Sequence, residues 1–186
     1  MNLRTGLHEI DEPASNLTGH DSTATEQSTT GSAQFVSFAI GDDQYGVDIM
    51  AVREIKGWTS ITFLPRQPDY VRGVLNLRGV MVPIIDLRCR FGQGLTEATP
   101  LHIFIVVQIG PTQVGLLADR VLDIVSFDAS QIQAVPHIAQ ATRADFLSGL
   151  GMVGDAMIAL IDLPSLLSLS TFPGDSQPAD TARSAA

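Results

Sequence analysis

The sequence predicts an all-β domain, a barrel or sandwich of many short strands, and three observations carry that prediction. Its apolar runs are short and mostly bounded by Gly, Pro or Asp. Stretches with helical spacing are brief, and the middle of the chain repeats itself.

The elements follow in chain order. "QFVSFAI" (34–40) alternates apolar and polar residues before a "GDD" turn, and "YGVDI" (45–49) follows closely, so the pair reads as a hairpin. "IMAVREIKG" (49–57) reads as about two turns of helix ending at Gly57. "VLNL" (74–77) and "VMVPIID" (80–86) are strands, and "LRCRFG" (87–92) is a short helix with Asp86 as its N-cap and Gly92 at its stop. "LHIFIVVQI" (101–109), "QVGLLAD" (113–119), "LDIVSF" (122–127) and "AMIALID" (156–162) complete the strands. "LPSLLSL" (163–169) is a last short helix, capped by Asp162, with Pro164 tolerated in its first turn.

Composition sets the boundaries. Residues 1–33 are rich in Ser, Thr and Gly without apolar periodicity and carry Arg4 against five acids, so the segment reads as a disordered acidic tail. Residues 171–186 have the same character. Between them lies one unit, 34–170, and 45% hydrophobic residues suffice to fill its core.

Several classes of function are disfavoured. No run approaches the roughly 18 apolar residues of a membrane span, and the charged start lacks the apolar region of a secretory signal. The one cysteine, Cys89, cannot form an internal disulfide, which suits a reducing cytoplasm. A net charge of -9, with few aromatics, argues against a nucleic-acid binder. His8 and His20 lie in the tail. His102 and His137 lack metal-ligand spacing, and Cys89 beside Phe91 reads as core, so no metal or cofactor site and no active site are expected. Asp86 and Asp162 could be read as a carboxylate pair, but each precedes Leu and a short helix, and capping accounts for both. The sequon at Asn16 carries no weight in a chain that reads as cytoplasmic.

The repeat is the most informative feature. Sliding the chain by 69 places Phe35 on Phe104, Ile40 on Ile109, Gly41 on Gly110, Gln44 on Gln113, Gly46 on Gly115, Val52 on Val121 and Ile55 on Ile124. A slide of 76 places Asp69 on Asp145, Gly73 on Gly149, Met81 on Met157, Ile85 on Ile161, Asp86 on Asp162 and Leu87 on Leu163. Roughly one or two matches are expected in each window by composition, so the chain reads as two homologous β lobes, about 34–90 and 100–170.

The same alignment disposes of a dinucleotide motif. "FLSGLGMVGD" (146–155) has three suitably spaced glycines, yet neither the preceding strand nor the following helix that such a turn needs is predicted. Gly151 falls on Leu75 and Gly154 on Arg78, so the segment reads as a structural turn. Polar residues unique to one copy point toward function: Arg72 stands opposite Ser148, Asn76 opposite Met152 and Arg78 opposite Gly154. Residues 34–90 carry net +1 and residues 91–170 net -5, a dipole suited to docking more than one protein. The plainer reading of Arg72 and Arg78 is that they solvate a strand edge.

Three blocks in order, "FAIGDDQYGVDIMAVREI", "LPRQPDYVRGVLNLRGVMVPIIDLRCRFG" and "FLSGLGMVGDAMIALIDLPSLL", resemble the CheW family of bacterial chemotaxis adaptors over about 34–170. The resemblance implies two pseudo-symmetric five-stranded β-barrel lobes with short helices at their ends, and allows strands to be exchanged between lobes. It implies a non-enzymatic scaffold in the cytoplasm that couples methyl-accepting receptor tips to the regulatory domain of a CheA-type histidine kinase. Positions matching the family's receptor-docking residues are Val52, Glu54, Gly73, Arg78, Gly79 and Ile124. The kinase-contact residues, the receptors and the output, whether swimming, surface motility or another, stay open.

Overall fold

The computed structural model describes residues 32–136 and 144–168. The expected tails, with His8, His20 and Asn16, fall almost wholly outside these residues, as does His137. The chain runs β1 (Ala33–Ile40), β2 (Asp43–Asp48), β3 (Val52–Gly57), β4 (Val71–Leu77), β5 (Val80–Asp86), α1 (Leu87–Arg90), β6 (Ile103–Ile109), β7 (Thr112–Ala118), β8 (Arg120–Phe127), β9 (Leu147–Val153), β10 (Ala156–Ile161) and α2 (Leu163–Ser168). Gly41 and Gly110 turn the β1–β2 and β6–β7 hairpins in the left-handed region, at φ +60° and +55°. Asp86 accepts a hydrogen bond from the Cys89 amide at 3.1 Å and caps α1. Asp162 accepts from the Ser165 amide and hydroxyl at the head of α2.

The strands form two five-stranded sheets, in the orders β8-β1-β2-β10-β9 and β3-β6-β7-β5-β4. Mapping each strand of the first copy onto its counterpart in the second converts one order into the other. Each sheet mixes the two halves of the chain: β1 and β2 sit with β8, β9 and β10, while β6 and β7 sit with β3, β4 and β5. The seams are parallel pairings, β2 with β10 and β7 with β5. The contiguous halves 34–90 and 100–170 therefore describe the sequence repeat and not the lobes. The sheets are also open, because no ladder joins β8 to β9 or β3 to β4 among the described residues, so the lobes are curled sheets and not closed barrels.

Exchange redistributes the charge as well. Among the described residues, the first-sheet segments (32–48 and 119 onward) hold Arg120 against nine acids, net -8. The second-sheet segment (49–118) holds seven basic groups against four acids, net +3. The dipole expected from the halves of the sequence is thus sharper between the lobes.

Three cores hold the molecule. The largest lies between the sheets, where Val36, Phe38 and Val47 meet Ile85, Ile105 and Leu116. Each lobe also has its own. Phe35 and Phe127 pack at 5.9 Å beside Ile158 and Leu160, and Phe104 and Trp58 pack at 5.2 Å beside Ile84. Trp58 and Phe127 are related by the slide of 69, so each lobe keeps one aromatic pair in the same place. Gly46 and Gly115 serve the same end, since a Cβ at either would meet Leu160 or Ile84 from the parallel neighbour at 3.0 and 2.4 Å.

Two elements depart from expectation. Residues 49–57 are a single 3-10 turn, Ile49–Ala51, followed by β3. Asp48 caps only that turn, and from Val52 onward exposure alternates with period two because β6 offers an open edge to pair with. Residues 147–153 are strand β9, not a turn, and only Gly154 turns the chain, at φ +59°. A Cβ on Gly149 would lie 2.5 Å from Ile132, and one on Gly151 would lie 2.5 Å from the Phe127 ring, so curling of the sheet requires both glycines.

Asp119, which links β7 to β8, ties three segments together. It accepts from the Gly41 amide and from Arg88, both at 2.7 Å, and lies 3.4 Å from Nε2 of His102, whose Nδ1 accepts from the Thr99 amide. Burial pushes its pKa up, but the Gly41 amide and the Arg88 guanidinium, with His102 beyond, prevail and hold the carboxyl below its ordinary range. A lowered folded-state value stabilises the protein above the unfolded value of about 3.9, and that stability is lost as pH falls through the folded value. Asp119→Asn should therefore lower Tm at neutral pH and flatten its decline below about pH 4, as calorimetry across that range would measure. Gly151→Ala should cost about 1–3 kcal/mol in urea unfolding, and pairing it with Phe127→Leu should recover part of the loss.

Candidate functional site

The six expected docking residues fall on three parts of the structure. Val52 opens β3, half-buried against the core between the sheets, and pairs with Val107. Arg53 sits in a register shift, which leaves Glu54 half-buried on the same strand. Across the curl of the sheet, Nη2 of Arg78 lies 3.9 Å from Oε2 of Glu54, with the Arg78 side chain 88% exposed. An exposed pair at that distance contributes about 0–1 kcal/mol, too little to hold the arginine in place for stability.

Arg78 and Gly79 form the two-residue turn between β4 and β5, both at positive φ, +53° and +90°. Such a turn suits glycine or asparagine. An arginine held there costs about 1 kcal/mol. The corresponding position in the β9–β10 hairpin is Gly154, at φ +59°. The backbone requirement is shared, therefore, and the arginine is peculiar to one lobe. Asn76 supports the turn by accepting from the Gly79 amide at 2.8 Å, which explains its presence opposite Met152.

Gly73 plays a different part. It is buried at φ +137°, and a Cβ there would lie 2.1 Å from the Thr62 carbonyl oxygen, in the segment that bridges onto Val74. Gly149, its repeat partner, faces the matching bridge of Gln133 with Leu150. The glycine serves the fold of both lobes. Ile124 lies on β8 in the other sheet, 55% exposed, beside Asp123. There the Ser37 hydroxyl bonds the backbone N–H and C=O of Asp123 at a register shift in the β1–β8 ladder, and the Asp123 carboxylate turns onto the Ile124 amide. The acids paired by the repeat thus diverge: Asp123 serves its own backbone, and Glu54 reaches Arg78.

The structure brings Glu54, Arg78 and Gly79 together, with Val52 on the same strand as Glu54. No bond joins Ile124 or Gly73 to them among the described residues. None of these residues lines the cavities of about 710, 630 and 310 Å³, and with the Arg78 side chain projecting into solvent the group forms an exposed ledge. Ile55, the repeat partner of Ile124, is also exposed, at 45%, on the edge strand β3. Identity between the copies therefore does not by itself mark a buried residue.

The alternatives raised by single residues are accounted for by structure. Arg72 pairs with the fully buried Asp86 at 3.2 Å and donates to the Thr96 carbonyl at 3.1 Å, so it is a core support and not an edge cation. Burial, with Asp86 and Asp69 nearby, pushes the Cys89 thiol up against the opposing pull of Arg72, the wrong direction for a nucleophile. Among the described residues no group of three or more His, Cys, Asp or Glu could hold a metal ion, and no helix is long and apolar enough to cross a membrane.

Residues 34–171 match the family model described as the CheW-like domain. The chain is 41% identical over 135 residues to a chemotaxis protein CheW of Klebsiella aerogenes, covering 73% of this chain and 81% of that one. It is 41% identical over 143 residues to a chemotaxis protein CheW of Rhizobium meliloti, covering 77% and 92%. Among solved structures, the scaffolding protein TtCheW of Thermoanaerobacter tengcongensis superposes with a TM-score of 0.66 at 33% identity, covering 73% of this chain and 88% of that one. Gly73→Ala, placed against backbone at positive φ, should prevent stable folding, visible as loss of the cooperative thermal transition.

Proposed function

The chain belongs to the CheW family, and from that premise we propose that it is a scaffold of chemotaxis signalling, joining the cytoplasmic tips of methyl-accepting receptors to a CheA-type histidine kinase. It acts in the cytoplasm by binding energy alone and transforms no molecule. Signal passes when receptor and kinase contacts on this body differ in strength between two arrangements of the array.

The observation that carries the docking assignment is Arg78. It occupies a backbone conformation that favours glycine, in the lobe where the repeat dispenses with glycine, and projects almost fully into solvent. A residue kept against its backbone preference without a core contact fits a partner better than it fits the fold. Its planar guanidinium suits a carboxylate or amide on a receptor hairpin, while Val52 offers apolar surface beside it and Glu54 sets its direction. Ile124, and with it Ile55, supplies apolar contact from the edge strands β8 and β3. Gly79 keeps the turn tight, and Gly73 contributes by fixing the strand that carries it. The positive charge of this lobe steers acidic partners toward the ledge.

Arg78→Gly separates docking from folding. Relief of the strained φ and the larger unfolded-state entropy of glycine nearly cancel, so stability should stay within about 0.5 kcal/mol. Affinity for a receptor cytoplasmic fragment should fall about tenfold or more, and affinity for the kinase regulatory domain should hold, both by calorimetric titration. Unchanged receptor affinity, or an equal loss toward both partners, would remove Arg78 from the docking surface.

A further inference from the structure

The β9–β10 hairpin carries an apolar surface that the docking ledge does not use. Met152 pairs with Met157 and Leu150 with Ala159 across the hairpin, so the four side chains share one face. At the inner end Ala159 and Leu147 pack on the core between the sheets, and at the outer end Met152 and Met157 are 50% and 57% exposed. The apolar strip thus runs unbroken from core to solvent. Leu147, Leu150, Ala159 and Met157 also line the cavity of about 310 Å³, whose wall is otherwise apolar or aromatic apart from Gln44 and two acids of the β1–β2 turn, Asp42 and Asp43.

The repeat shows that this surface is peculiar to the second copy. The slide of 76 sets Met152 on Asn76, which serves its own turn, so the strip stops short in the first copy. It also sets Gly154 and Asp155 on Arg78 and Gly79. The two matching hairpin tips therefore carry opposite charge, and the acidic tip is the more apolar one. Charge around it is of one sign. Asp42 and Asp155 are exposed, and no ion pair joins either to a cation among the described residues. Arg88, which approaches the β1–β2 turn at Gly41, is held by Asp119, and the lobe as described carries net -8. Exposed methionines suit such a place, because an unbranched thioether adapts to the shape of an apolar partner.

We propose that this hairpin face is a second docking surface and that its occupant is a basic amphipathic segment of a protein partner. A bulky apolar side chain of that segment enters the cavity beside Met157, while its Lys or Arg residues meet Asp42 and Asp155. None of the six docking residues lies on this hairpin, so the surface stands apart from the receptor and kinase reading.

All four described methionines are exposed, which makes their methyl groups direct reporters. In the full chain with isotope-labelled methionine methyls, the Met152 and Met157 resonances are identified by their loss in Met152→Gln and Met157→Gln. A soluble gadolinium chelate should broaden both in the chain alone. The probes are a designed helical peptide with Leu along one face and Lys along the other, and its counterpart with Glu in place of Lys. The lysine peptide should shift the Met152 and Met157 methyls and leave Met50 and Met81 in place, and the glutamate peptide should shift none. Asp155→Lys, and separately Met152→Gln with Met157→Gln, should weaken lysine-peptide binding about tenfold, with circular dichroism showing each variant folded. Arg78→Gly should leave that binding unchanged. Shifts that miss the hairpin, or that spread equally to Met81, overturn the proposal, as does equal binding of the glutamate peptide or binding indifferent to the hairpin variants. Methyls shielded from the chelate, or shifting with protein concentration, overturn it as well, because the chain itself or a second copy then covers the surface.

Discussion

The architecture depends on two parallel seams, β2 against β10 and β7 against β5. Each joins a hairpin from one half of the chain to a hairpin from the other, and neither five-stranded sheet exists without its seam. The main core forms from the same exchange, because Val36, Phe38 and Val47 can meet Ile85 and Leu116 only when the two mixed sheets face each other. Gly46 and Gly115 are the local condition for it, leaving room for Leu160 and Ile84 where the strands run side by side. The repeat is legible in the sequence because these packing demands recur at the same two places.

The strand content and both helix caps could be read directly. Alternation, turn glycines and the Asp86 and Asp162 signals are local, and the structure uses them locally. Exchange is not local. A repeat of 69 to 76 residues is compatible with two separate lobes or with two mixed ones, and only long-range pairing decides between them. Two element readings that the structure overturns share that origin. Val52 to Gly57 contains residues that suit a short helix, and it becomes a strand because β6 presents an unpaired edge. The glycines of β9 look like turn residues until Phe127 and Ile132 are seen to pack against them from distant elements.

The exposed group around Arg78, proposed above as a docking ledge, was partly legible for a related reason. Comparing the copies isolates Arg78 because Gly154 shows what its position otherwise requires. It also isolates Arg72, which belongs to the buried Asp86, since a residue peculiar to one copy can serve that copy's packing. Gly73, by contrast, is present in both copies and is explained by backbone contact. Ile55 and Ile124 show the limit of the method, being identical in the two copies and exposed in both. Charge shows the value of knowing the topology: the imbalance between lobes, -8 against +3 over the described residues, is visible only after strands are assigned to sheets.

Mixed sheets also bear on synthesis. A nascent chain emerging as far as Phe91 has made β1 and β2 but lacks β8 and β10, their neighbours on either side, and β3 lacks β6. The β3-β6-β7-β5-β4 sheet can assemble only once β7 has emerged and the β8-β1-β2-β10-β9 sheet only once the last hairpin has left the ribosome, so folding cannot proceed half by half along the chain. During that interval the β1–β2 hairpin presents two unpaired edges and the apolar face of Phe38 and Val47, a stage at which chaperone binding or pairing with a second nascent chain competes with maturation.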